Sequence, residues 1–230
     1  MEQEHCFPVT GVFRCDPEMI NGIQVKICGI TSATDAQGAA DIGADYLGFI
    51  FYPTSPRCIS AARFDEIKPR LPAMKKVAVL VEPSVVALAA LIATGFDYFQ
   101  IHFKLNTPLA RVREWSEVVT PAKLWLVPQL PPAMDVPMEL LPWADTFLLD
   151  TYHVGKFGGT GETGDWSKFQ RHQTTHPQKN WILSGGLNPE NVAAAIRTSG
   201  TKIIDVNSGV ESSPGVKDHA KLQALALALR

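Results

Sequence analysis

Lys26 and Cys28 stand two residues apart in the stretch VKICGIT (25–31), directly before Gly29. On a strand, residues two apart point the same way. A lysine beside a thiol lowers its pKa and favours the thiolate, which can act as a base or nucleophile. Other groups with chemistry recur at comparable places. Arg57 lies in FYPTSPRCIS (51–60), Gln100 and His102 again stand two apart in FQIH (99–102), and Asp150 ends LLD (148–150). Asp205 precedes NSGVE (207–211). Three glycine-rich turns follow late in the chain: GGTGETGDW (158–166, with Gly159), SGGLNPEN (184–191, with Gly185 and Gly186) and NSGVESSPG (207–215, with Ser208 and Gly209). Glycine lets backbone N–H groups close on an anion, and a helix starting after the turn adds its dipole. Together these residues suggest acid–base chemistry on a phosphorylated ligand.

Each has a plainer explanation. A strand cysteine is more often core filler than catalyst. His102 alone would pass as a hydrogen-bonded interior residue, Arg57 as a solvated loop residue and a Gly-Gly pair as a tight turn. The weight lies in convergence, which depends on the elements that carry them.

From about residue 23, short β-branched runs alternate with alanine- and leucine-rich segments. Eight strands are expected, at 24–28, 45–51, 75–81, 97–103, 123–129, 145–150, 180–185 and 202–208. Helices are clearest at 34–44, 84–95, 189–200 and 218–229, with Gly43, Gly95 and Gly200 at helix ends and Asn188–Pro189 as a helix start. After strand five the proline-rich LPPAMDVPMELLP (130–142) leaves room only for a short helix around 138–141. Eight alternating units imply a parallel sheet with crossovers, and in this length a closed (β/α)8 TIM barrel, an α/β fold. A doubly wound open sheet would carry a Gly-rich phosphate fingerprint after the first strand, and CGIT is not one. In such a barrel the reactive face is built from the C-terminal strand ends, where every residue named above falls. Residues 1–22 lie outside the rhythm as an N-terminal extension, and 23–230 form the barrel domain.

Composition narrows the classes. The chain has 230 residues, 46% of them hydrophobic, and a formal net charge of −2. No basic stripe suggests nucleic acid, and no run reaches the roughly 18 apolar residues of a membrane span. The N-terminus lacks the apolar stretch of a secretory signal. Cys6, Cys15, Cys28 and Cys58 form no CxxC pair, so no metal site is expected. Reduced thiols in the cytoplasm are the expectation, with Cys6, Cys15 and Cys58 structural.

VKICGIT, GADYLGFIFYPTSPR, FQIH, LLDT, FGGTGETGDW, ILSGGLNPENV and IDVNSGVESSPGVKDH, in this order, resemble phosphoribosylanthranilate isomerase, a (β/α)8 enzyme of tryptophan biosynthesis. The resemblance spans residue 24 to the C-terminus. It implies an Amadori rearrangement of N-(5-phosphoribosyl)anthranilate to a 1-amino-2-ketose, with no cofactor. It implies Cys28 as general base and Asp150 as general acid, the latter kept protonated by burial. Arg57 would grip the anthranilate carboxylate, Gly185, Gly186, Ser208 and Gly209 would cradle the phosphate, with Gly159 in the earlier glycine turn, and Asp205 would meet sugar hydroxyls. Lys26, Gln100 and His102 complete the expected substrate site. The only partner expected is the phosphorylated small molecule, with the chain a monomer or homodimer. The related isomerase of histidine synthesis uses two aspartates, and Cys28 argues against it. A degenerate phosphate-binding barrel is the non-enzymatic alternative, supported only by HFKLNT (102–107), where the family has glycine and an acidic residue after the histidine.

Overall fold

The computed structural model describes residues 20–150 and 165–230. Eight parallel strands follow in sequence order: β1 (Gln24–Ile27), β2 (Tyr46–Ile50), β3 (Lys75–Val81), β4 (Tyr98–Lys104), β5 (Leu124–Gln129), β6 (Thr146–Leu149), β7 (Asn180–Leu183) and β8 (Ile203–Val206). They close into a barrel, with β8 returning onto β1 in the register Lys26↔Asp205. The TIM-barrel expectation holds, and each strand lies within two residues of its expected bounds.

Among the described residues seven α-helices run outside: α1 (Ala33–Asp41), α2 (Ala61–Ile67), α3 (Val85–Ile92), α4 (Leu109–Val119), α5 (Trp166–Thr175), α6 (Val192–Ser199) and α7 (His219–Ala228). Ser32, Ser60, Ser84, Asp165 and Asp218 cap five of them, each accepting a backbone N–H of the first turn. Gly43, Gly95 and Gly200 have positive φ after the helices they end. The β5–β6 crossover carries a 3-10 helix, Met138–Trp143, instead of an α-helix, because its prolines remove the N–H groups an α-helix needs. The expected start of α6 also shifts. Asn188 Oδ1 accepts from the N–H of Glu190 and Asn191 in a local turn, and the helix begins at Val192.

Strand alternation sorts side chains into two cores. Outward residues such as Phe49, Phe99, Ile101 and Phe147 pack under the helices, each burying a side chain worth about 1.5–3 kcal/mol. Inward residues, among them Val77, Val79, Leu148 and Ile182, fill the barrel itself. At its N-terminal end Tyr46, Tyr98 and Trp125 meet with ring centroids 5.1–5.8 Å apart and form an aromatic floor. The same alternation settles the HFKLNT segment. Phe103 points outward, is buried, and packs edge-on against Trp115 at 5.7 Å, while His102 points inward. The departure at Phe103 therefore falls on the helix side of the strand.

After β8 the chain forms a hairpin absent from the sequence expectation, β9 (Glu211–Ser213) against β10 (Val216–Lys217).

Candidate active site

A cavity of about 380 Å³ opens at the C-terminal ends of the strands. Cys28 and Arg57, Gln100 and His102, and Asp150 and Asp205 all line it. So do Gly185, Gly186 and Ser208. Cys28 follows β1 and Asp150 follows β6, three strand steps apart by way of β8 and β7. The two groups thus face the cavity from different sides. Gly159 and the rest of its turn lie outside the described residues.

Two expected residues stand behind the cavity. Gly209 adjoins Ser208 in the β8 turn, where a Cβ would come within 2.0 Å of the Leu187 carbonyl oxygen. Only glycine lets the β7 and β8 turns approach this closely. Lys26 was expected to touch substrate, but it is fully buried beneath the lining. Its ammonium donates to Gln100 Oε1 at 2.8 Å and to Asp205 Oδ2 at 2.9 Å. One layer up the barrel, Gln100 Nε2 lies 2.8 Å from His102 Nε2.

Room for this arrangement comes from β2. A Cβ on Gly48 would stand 2.9 Å from both Cys28 Sγ and Lys26 Cε. Any larger residue would displace the thiol.

The electrostatics differ from expectation at Cys28. Burial raises its pKa, and although Lys26 pulls the other way, the thiol stays above its ordinary value. Burial is the larger influence, and the charge of Asp205, paired with Lys26, adds to it. Burial alone would lower Lys26, but Asp205 and Cys28 hold it above its usual range, so it remains an ammonium. His102 is pushed down to about 3 by burial and by Lys26. Asp205 Oδ1 is buried without a hydrogen-bond partner among the described residues. An orphaned carboxylate oxygen at a cavity wall is an acceptor awaiting a donor.

Arg57 is held from behind by Glu211. Nε lies 2.9 and 3.0 Å from its two carboxylate oxygens, and Nη2 lies 2.7 Å from Oε2. This uses one edge of the guanidinium fork and leaves the other, through Nη1, for a second carboxylate. Lys217, also buried, donates to Glu211 Oε1 at 3.0 Å and to Asn207 Oδ1 at 3.1 Å. Glu211 and Lys217 were missed in the sequence. Their one signal was an acid and a base flanking SSPGV, which fits a hairpin as well as a phosphate loop.

Ser184, Gly185 and Gly186 form the turn after β7. Ser184 Oγ donates to Asp150 Oδ1 at 3.4 Å. The N–H groups of Gly185 and Gly186 have no partner among the described residues and border the cavity. Among the described residues no cluster of His, Cys, Asp or Glu could hold a metal ion, and no helix is long and apolar enough to cross a membrane.

Residues 25–227 match the family model described as N-(5'phosphoribosyl)anthranilate (PRA) isomerase. An N-(5'-phosphoribosyl)anthranilate isomerase of Synechococcus elongatus is 36% identical over 210 residues, covering 89% of this chain and 94% of its own. The phosphoribosyl anthranilate isomerase of Thermotoga maritima superposes with a TM-score of 0.74 at 32% identity, over 90% of this chain and 98% of its own. A further solved isomerase holds reduced 1-(o-carboxyphenylamino)-1-deoxyribulose 5-phosphate, with a TM-score of 0.69 and 29% identity over 90% and 98% of the two chains. With its fold, its cavity and its sequence from Val25 onward all in agreement, the chain belongs to the phosphoribosylanthranilate isomerase family.

Proposed function

We propose that Cys28 and Asp150 are the general base and general acid with which this aldose–ketose isomerase rearranges N-(5-phosphoribosyl)anthranilate. The observation that carries the assignment is their placement on one cavity from different strands. Asp150 protonates the furanose ring oxygen, the C1–O bond opens and the nitrogen lone pair forms an iminium. Cys28 then removes the C2 proton, giving an enolamine that tautomerises to the 2-ketone. Oxidation rises at C2 as it falls at C1, so the rearrangement needs no external electron carrier.

Substrate placement follows from the remaining groups. Arg57 offers its open edge to the anthranilate carboxylate. Gly185, Gly186 and the Ser208–Gly209 turn offer N–H groups to the phosphate. Asp205 Oδ1 accepts a sugar hydroxyl. The partner is this phosphorylated small molecule, and the cytoplasm is the compartment that suits the thiol. A barrel that binds phosphate without turnover is the competing reading.

The test is direct turnover. Freshly prepared phosphoribosylanthranilate should be consumed by the wild type, while Cys28→Ser and Asp150→Asn each lose roughly 100-fold or more, the scale of a positioned acid or base. Phosphate binding should persist in both. Near-normal turnover in either variant removes that residue from its role, and no turnover in the wild type favours the silent barrel.

A further inference from the structure

The chain Lys26–Gln100–His102 determines where a proton sits. An ammonium offers only donors, so the Gln100 atom facing Lys26 is its carbonyl oxygen. The Gln100 nitrogen must then face His102, and it too offers only donors. At 2.8 Å, His102 Nε2 has to be the acceptor. It carries no hydrogen, and the neutral ring holds its proton on Nδ1. An imidazolium would set N–H against N–H at this distance. Lys26 cannot release the constraint, because Asp205 at 2.9 Å keeps it charged. The neighbours of His102 on β3 and β5 are Val81 and Val127, which supply no charge. Lys26 is the charge that bears on the ring from below.

We infer that Gln100, anchored by Lys26, is a positioning residue that fixes His102 as the neutral Nδ1–H tautomer and so withdraws it from proton transfer. Nε2 is occupied by a donor, and Nδ1 already bears its hydrogen and is far too weak an acid to release it. The ring is then an uncharged wall of the cavity, and the one ring N–H it carries is on Nδ1. A histidine of ordinary pKa in this cavity would compete with Cys28 and Asp150 for protons near neutral pH. The relay removes that competitor and gives Lys26 and Gln100 roles beneath the substrate. The kinetic meaning rests on the acid–base reading proposed above, whereas the tautomer does not.

The first readout therefore needs no turnover. Protein labelled with nitrogen-15 in its histidines is examined by long-range proton–nitrogen correlation, with His102 assigned from the His102→Asn spectrum. His102 should show a bare Nε2 and a protonated Nδ1, unchanged between pH 8 and 5. Protonation at Nε2, or an imidazolium within that range, overturns the inference. The second readout is Gln100→Glu. Its carboxylate accepts from both sides, so Lys26 keeps its bond while His102 must donate from Nε2. The tautomer should reverse, kcat/KM should fall up to about 100-fold through misplacement, and its pH profile should gain an ionisation. If the tautomer reverses and the profile stays that of the wild type, the positioning role is wrong. If the variant does not fold, the wild-type spectrum alone decides. A failed wild-type turnover assay with the expected tautomer would sink the acid–base roles and leave the relay standing.

Discussion

Cys28 lies between two influences that its neighbours in sequence do not reveal. Lys26 favours the thiolate, but burial and the charge of Asp205 oppose it, and the thiol is left above its ordinary value. A base so placed works better as pH rises, because the thiolate fraction grows. Replacing Asp205 by Asn removes a charge that raises Cys28, so the thiol pKa should fall. The rising limb of kcat/KM against pH should move to lower pH in Asp205→Asn, even as KM rises through loss of the Oδ1 acceptor. A limb that stays in place would show that Asp205 does not set the base. The sequence made Lys26 and Cys28 legible as same-facing neighbours. It could not show that one lies inside the barrel and the other at its mouth, since period-two alternation fixes the face of a strand but not the depth along it.

The β9–β10 hairpin belongs to the scale of elements. It brings Glu211 and Lys217 behind Arg57, all three buried. Burial pushes the Glu211 carboxyl up, but its bonds to Arg57 and Lys217 outweigh this and hold it below its usual range. A carboxylate with a depressed native pKa stabilises the fold above its unfolded value and loses that contribution as pH falls through the native one. Glu211→Gln leaves two buried cations without their counter-charge and should cost roughly 3 kcal/mol or more in denaturant unfolding at pH 7. The deficit should shrink below about pH 4.5, where the unfolded wild type begins to take up the proton. A constant deficit across that range would deny the charge its part. KM should rise more than kcat falls, because Arg57 loses its aim. None of this was legible beforehand, because SGVESSPGVK has the glycine and serine content of a phosphate loop. The start of α6 was misplaced for a related reason. Asn188 and Pro189 can open a helix or close a turn, and the turn won through two backbone bonds to the Asn188 side chain.

At the scale of the molecule, the barrel itself was the most legible feature. Its strands are buried on both faces and so appear as short, largely apolar runs, with glycine, aspartate or proline close to their ends. Where an aspartate opens a strand, it also bonds to its neighbour: Asp45 accepts from Val25 N and Asp97 from Lys76 N, each at 2.7 Å. What stayed hidden were contacts between residues far apart in the chain, such as Lys26 with Asp205 and Arg57 with Glu211, which arise only when the barrel closes.

The aromatic floor carries a further consequence. Tyr46 and Trp125 are buried, and above them Lys26 is sealed completely, so the described residues leave no passage through to the N-terminal end. The cavity is a cul-de-sac. Reactant and product must use the same doorway, and the ketose must vacate before the next aminoaldose can enter. Added product should therefore act as a strictly competitive inhibitor in initial-rate measurements, raising the apparent KM and leaving kcat untouched. A noncompetitive component would mean that product also binds the enzyme somewhere other than the emptied cavity, against a single shared pocket.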